Sequence, residues 1–133
     1  MPMIRFSTAY TYTAKEKQQI SKIVQVCMET YFDTSKNDCF HIFEQLCHEQ
    51  IIVDPNYWVE APRTEKFLLL YITSGKPRTA DQKLKLMQNV SSQLQHTFNI
   101  PDQDIMFVIV SNTAEDWCFG HAKRADLYIQ QNL

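Results

Sequence analysis

Pro2 follows Met1 and opens an apolar, strand-like run, Met3-Ile4-Arg5-Phe6. Initiator methionine is trimmed when the next residue is small, and proline qualifies. Trimming leaves a free secondary amine on the rigid start of a strand. That amine lacks amide resonance, so it can take a proton or attack a carbonyl carbon. A model α-amino group titrates at about 7.7–8.0. A prolyl amine is intrinsically more basic, so burial or cationic neighbours are needed to hold it neutral near pH 7. Many chains begin Met-Pro and make no use of it, so the rest of a site has to come from elsewhere in the sequence.

Three other groups have suitable chemistry. Lys76 and Arg78 flank Pro77 just before a helix start. Cations there oppose the helix dipole and add little stability, whereas a dipole and two cations together suit a carboxylate. An ordinary solvated basic turn is the competing reading, and composition weighs the two evenly. Asp38 stands before a strand, where it could orient an amine or a water, or hold a proton. Asp104 holds the matching place later in the chain, which favours a turn-forming role for both. Trp117 and Phe119 sit in an irregular loop beside Gly120. They are either core or the walls of a small, water-poor pocket. Cys118 between them has no adjacent base and reads as a structural thiol.

The elements that must position these residues come as an internal repeat. Thr13-Ala14-Lys15-Glu16 is a capping box opening a helix over 14–32, with Ile20, Ile23, Val24, Cys27 and Tyr31 on one face. Thr79-Ala80-Asp81-Gln82 opens a second helix over 80–97 in the same way, with Leu84, Met87, Val90 or Ser91, and Leu94 inward. A strand precedes each cap (3–9 and 67–73). An aspartate and another strand follow each helix (39–47 and 105–112), at a constant offset of 66 residues. Two βαβ units, about 3–47 and 67–112, form a single domain with a linker at 48–66 and a tail at 113–133. The linker reads as a short strand or hairpin with a turn at Pro55, and the tail holds a short helix around 122–130. Each unit makes a right-handed crossover between parallel strands. The fold class is therefore α+β in two layers, a four-stranded sheet with both helices on one face. If a two-fold axis relates the units, strands 1 and 2 begin at the edge where strands 3 and 4 end. Pro2, Asp38, the Gly75–Arg78 turn and the Asp116–Gly120 loop then share that edge, which is the physical basis for a site.

Composition narrows the function. A net charge of −2 and a pI near 6.0 argue against nucleic-acid binding. No apolar run reaches the length of a membrane span and no signal-peptide core opens the chain, so a cytoplasmic protein is expected. The four cysteines are widely spaced and read as reduced thiols, several in the core. The four histidines form no ligand-spaced set, so neither metal nor cofactor is expected. Gly75 and Gly120, the only glycines, mark places where the backbone needs them. Both faces of the sheet are fairly apolar, which points to an oligomer.

The chain resembles the tautomerase superfamily, whose members use an N-terminal proline, and within it the malonate semialdehyde decarboxylase-like branch. The likeness runs over nearly the whole chain. It rests on Pro2, Asp38-Cys39-Phe40, Lys76-Pro77-Arg78 with Gln82-Lys83, Ile100 to Asp104, and above all Asp116-Trp117-Cys118-Phe119-Gly120. The resemblance implies a homotrimer with Pro2 as catalytic amine, Asp38 as its assistant and Arg78 as a carboxylate-binding residue. Lys76 stands where that branch has a second arginine, and lysine lacks the planar fork. The histidine and glutamate of dehalogenase-type members are missing, with Cys118 roughly where the glutamate would be, so haloacrylate hydration is disfavoured. The implied activity is keto–enol tautomerisation or decarboxylation of a small keto or semialdehyde carboxylic acid, with Lys76, Arg78, Trp117 and Phe119 binding it. The alternative is a binding or signalling protein that keeps the fold, as some superfamily cytokines do.

Overall fold

Thr13 and Thr79 set both long helices. Each hydroxyl accepts the backbone N–H three residues on, and Glu16 and Gln82 reach back to the threonine N–H. These capping boxes start α1 (Ala14–Tyr31) and α2 (Ala80–Phe98). The structure is a computed structural model that describes residues 1–131. The strands are β1 (Pro2–Thr8), β2 (His41–Gln45), β3 (Leu68–Ser74) and β4 (Ile105–Ser111), and a short α3 (Ala125–Gln131) lies near the chain end.

The sheet order is β2-β1-β3-β4. β1 is parallel to β2, β3 is parallel to β4, and the central pair β1–β3 is antiparallel. The repeat survives down to register. Ile4 lies opposite His41, and Leu70 lies opposite Phe107, each 66 residues on. Alternation along β1 and β3 turns Ile4, Phe6, Leu68, Leu70 and Ile72 inward, all fully buried. They pack with Ile20, Val24 and Met28 of α1 and Leu86, Val90 and Leu94 of α2. Each such side chain contributes about 1.5–3 kcal/mol by leaving water. On the opposite face lie Met3, Leu69, Tyr71, Met106, Val108 and Val110, beside an Arg5–Glu44 ion pair at 2.5 Å. No helix among the described residues is long and apolar enough to cross a membrane.

The structure corrects several expectations. Leu86, not Leu84, faces the core, and Leu84 is half exposed. The two are about 200° apart on a helix, and the i, i+4 series Leu86–Val90–Leu94 is the one that meets the sheet. β2 begins at His41 rather than Cys39, although the Phe40 carbonyl still accepts the Ile4 N–H at 2.9 Å. Of the cysteines only Cys27 is buried; Cys39, Cys47 and Cys118 are exposed. The linker holds no strand or hairpin; it has a short 3-10 turn at His48–Gln50, the turn after Pro55 and a turn at Glu65–Lys66. Asp54 accepts the N–H groups of Asn56 and Tyr57, and Arg63 N–H closes the loop on the Pro55 carbonyl at 2.8 Å. Pro55 and Pro62 have no donor to give a ladder.

His41 faces the helix layer. Its Nδ1 is 2.7 Å from the Ser21 hydroxyl and its ring meets Phe6 edge-on. Burial lowers its pKa from 6.5 to about 4. The folded state therefore holds the imidazole neutral where the unfolded chain has already protonated it. Its contribution is complete above the unfolded value and is lost as pH falls from about 6.5 towards 4. Urea unfolding at about pH 7.5 and about pH 4.5 should show a smaller acid loss in His41→Gln than in wild type. Equal losses would remove His41 from the acid response.

Candidate active site

Strand directions bring three segments to one sheet edge. Pro2 is buried at the start of β1, opposite Ser74 at the end of β3. The next N–H, that of Gly75, donates to the Met1 carbonyl at 2.7 Å. The Met1 amino nitrogen is 2.8 Å from Asp38 Oδ2. Asp38 is held by its own backbone: its N–H donates to Ser35, and its carbonyl accepts from Gln25 Nε2. Residue 1 thus fills the space beside the Pro2 nitrogen, with its carbonyl on one side and its amine on the other.

The need for glycine at position 75 is a close approach. A Cβ there would lie 2.8 Å from Met1 Cβ and 3.0 Å from Trp117 Nε1. Trp117 is positioned from β4. Its indole N–H donates to Asn112 Oδ1 at 2.6 Å, and the Asn112 N–H donates to the Ser74 carbonyl. Phe119 stacks on Trp117, with centroids 5.7 Å apart, and touches Phe40. The Asp116 carboxylate caps the Thr113 N–H, and the Ala125 N–H ties α3 to the Trp117 carbonyl. Gly120 has φ +141°, a region open to glycine. A cavity of about 470 Å³ adjoins Met1; its walls include Phe119, His121, Lys123, Tyr128 and Ile129.

Arg78 is placed differently from a solvated basic turn. It is 8% exposed. Nε and Nη2 both donate to the Phe32 carbonyl, at 2.9 and 2.6 Å. Nη1 donates to Ser74 Oγ at 2.7 Å and to the Lys76 carbonyl at 2.8 Å. The guanidinium also lies over the Phe32 ring. Of its five N–H groups, four are engaged. Phe32 caps the C-terminus of α1, a helix with no basic residue in its last turn. A cation that opposes the α2 dipole therefore complements the end of α1. Burial lowers the Arg78 pKa, while Asp33 and Asp38 act to raise it. Lys76 is exposed and stands 3.8 Å from the Asp33 carboxylate.

The structure therefore gathers Pro2, Asp38, Trp117 and Phe119 around residue 1, packs Arg78 into the same edge, and leaves Lys76 at the surface. Asn112, His121 and Lys123 belong to this neighbourhood without any sequence pattern that marks them. With residue 1 attached, the Pro2 nitrogen is an amide and cannot act. Without it, an amine, a carboxylate and the Gly75 N–H would face the same space.

A family model described as "Tautomerase enzyme" matches residues 38–120. Malonate semialdehyde decarboxylase, solved in wild-type, mutant and inactivated forms, aligns with TM-score 0.86 and 21% identity over 98% of both chains. FG41 malonate semialdehyde decarboxylase inhibited by 3-bromopropiolate gives TM-score 0.85 and 18% identity over 98% of this chain and 97% of that one. R7 fused 4-OT, an asymmetric trimer, gives 0.76 and 13% over 95% and 98%. No curated protein matches by sequence. At these identities the likeness to solved structures carries the fold.

Arg78→Lys keeps a charge but cannot serve Phe32, Ser74 and Lys76 together. The unfolding free energy should fall by about 1–3 kcal/mol, read as a lower urea midpoint at constant m-value. An unchanged midpoint would mean the guanidinium does not hold the end of α1.

Proposed function

The chain belongs to the tautomerase family, and on that premise we propose that it is an enzyme using Pro2, freed by loss of Met1, as the catalytic amine on a small keto or semialdehyde carboxylic acid. One observation carries this reading. The Asp38 carboxylate and the Gly75 N–H converge on the residue bonded to the Pro2 nitrogen, at 2.8 and 2.7 Å. A substrate carbonyl in place of the Met1 carbonyl would meet the amine and a backbone donor together. Arg78 lends its remaining N–H and its charge to the substrate carboxylate, Trp117 and Phe119 wall the site, and Lys76 lies at its rim.

Two chemistries follow from the charge on Pro2. A neutral amine moves a proton between carbon and oxygen, interconverting keto and enol forms. A cationic amine hydrogen-bonds the β-carbonyl oxygen. The bond to the carboxyl carbon then breaks, its electron pair enters the enolate, carbon dioxide leaves, and a proton returns to carbon. An iminium formed from neutral Pro2 serves the same end. Asp38 favours the cation, and Arg78 opposes it. The Pro2 nitrogen is one residue, about 3.8 Å of chain, from the nitrogen that Asp38 binds. The guanidinium is already shared among three acceptor groups. The carboxylate therefore outweighs it, and decarboxylation is the favoured mode.

The apolar sheet face opposite the helices supports a homotrimer, with a second copy covering Leu69, Tyr71, Met106 and Val108. Sedimentation at micromolar concentration should give a trimer, and a stable monomer would contradict this.

The catalytic test uses chain from which Met1 has been removed, verified by intact mass. Malonate semialdehyde decarboxylation and phenylenolpyruvate tautomerisation are each measured in wild type and Pro2→Ala. Loss of the rigid secondary amine should lower kcat about 10²–10⁴-fold. Turnover unaffected by Pro2→Ala would eliminate the enzyme reading of this site and leave a binding protein.

A further inference from the structure

We propose that Asn112 is a positioning residue for the reaction at Pro2: it holds the Trp117 indole so that the Gly75 N–H, and not the indole N–H, receives the substrate carbonyl. This rests on Pro2 being the reacting amine, and it leaves the carboxylate on the Lys76–Arg78 turn.

Asn112 joins two segments that meet beside Pro2. Its N–H donates to the Ser74 carbonyl at 2.9 Å, and Ser74 pairs with Pro2. Its Oδ1 accepts the Trp117 indole N–H at 2.6 Å. The indole N–H is only a donor, so the amide oxygen is the atom that faces it. The loop does not need this bond to fold. The Asp116 and Trp117 N–H groups close a 3-10 turn on the Thr113 and Ala114 carbonyls, and the Asp116 carboxylate accepts the Thr113 N–H. Those bonds fix the backbone and leave the Trp117 side chain to be placed. Phe119 stacks on the ring. A half-turn about the outer torsion of Trp117 keeps a ring plane that can stack and carries the N–H to the other side. The ring is only partly buried, so the bond to Asn112 is what selects the edge that faces β3.

That edge lies beside Gly75. The indole nitrogen is 3.0 Å from where a Gly75 Cβ would stand, and the Gly75 N–H donates to the carbonyl of residue 1 at 2.7 Å. Two N–H donors therefore neighbour one acceptor position. Gly75 follows the residue that pairs with Pro2. An oxygen held by the Gly75 N–H keeps its carbonyl carbon beside the amine, as the Met1 carbonyl shows. An oxygen drawn to the indole N–H leaves that position. Asn112 removes the competition by giving the indole an acceptor of its own. Leucine at 112 has nearly the size of asparagine and no acceptor, so it strands a partly buried donor. Replacing both partners by apolar groups costs far less than removing one.

The test times the labelling of Pro2 by 2-oxo-3-pentynoate, an oxo acid with its own ketone, so it needs no known substrate. Full-length, Met1-trimmed wild type, Asn112→Leu, Trp117→Phe and the double variant are compared over a range of probe concentrations. Adducts are read by intact mass and located by peptide mapping, and urea transitions check the fold. Asn112→Leu should lower the maximal labelling rate about tenfold without raising the half-saturating concentration. The double variant should label as fast as Trp117→Phe alone, because phenylalanine has no N–H to compete. Asn112→Ala repeats the comparison if the leucine variant loses its urea transition. A full labelling rate in the Asn112 variants, or equal slowing with tryptophan and with phenylalanine at 117, would overturn the role of Asn112 while an adduct on Pro2 keeps the catalytic reading. No Pro2 adduct in wild type would remove that reading and this inference together.

Discussion

Pro2 pairs with Ser74, and Ile4 with Ile72, in the antiparallel ladder that joins the two βαβ units. Strand direction here decides where chemistry is possible. Had the central strands run parallel, the start of β1 would sit beside the start of β3, and Gly75 would lie at the far edge. Because they run antiparallel, the first residues meet the turn after β3, and the loop after β4 follows through the bond from Asn112 to Ser74. The ladder holds because Ile4, Phe6, Leu70 and Ile72 are fully buried beneath two helices. A one-residue slip would turn all of them to the other face.

The same ladder explains why only one of two similar units carries the candidate site. Asp38 and Asp104 occupy matching places. Asp104 is fully buried, accepts the Thr64 N–H at 2.6 Å and is bonded to the Thr64 hydroxyl, so it anchors the linker to the start of β4. Asp38 meets the amine of residue 1 instead. In the second unit a continuing chain fills the slot with amide and hydroxyl donors. In the first unit the Met1 amine takes the slot. One carboxylate becomes a turn anchor and the other a partner for an ionisable nitrogen.

Arg78 links stability to the site. Its guanidinium satisfies the carbonyl that caps α1 and braces the turn carrying Gly75. Removing it would unfix the residue that donates to the Met1 carbonyl, so an effect of Arg78 on turnover has a structural component as well as an electrostatic one. A buried guanidinium with four engaged N–H groups is rigid, which suits a group that sets a field rather than chases a ligand.

The sequence alone determined the parts that depend on local chemistry and short periods. The two capping threonines, the 66-residue offset, the helices and strands, and the edge shared by Pro2, Asp38, Gly75 and Trp117 were all legible. Capping boxes and alternation act over a few residues, and a repeat transmits one unit's geometry to the other. Tertiary structure decided the rest. The inward phase of α2 follows from which i, i+4 row meets the sheet, so Leu86 displaced Leu84. The linker is irregular because Asp54 and Arg63 bond its backbone. Arg78 turns inward because the carbonyl at the end of α1, 46 residues away, accepts it. A long polar side chain in a loop has several directions of similar local energy, and only the distant groups packed around it choose among them.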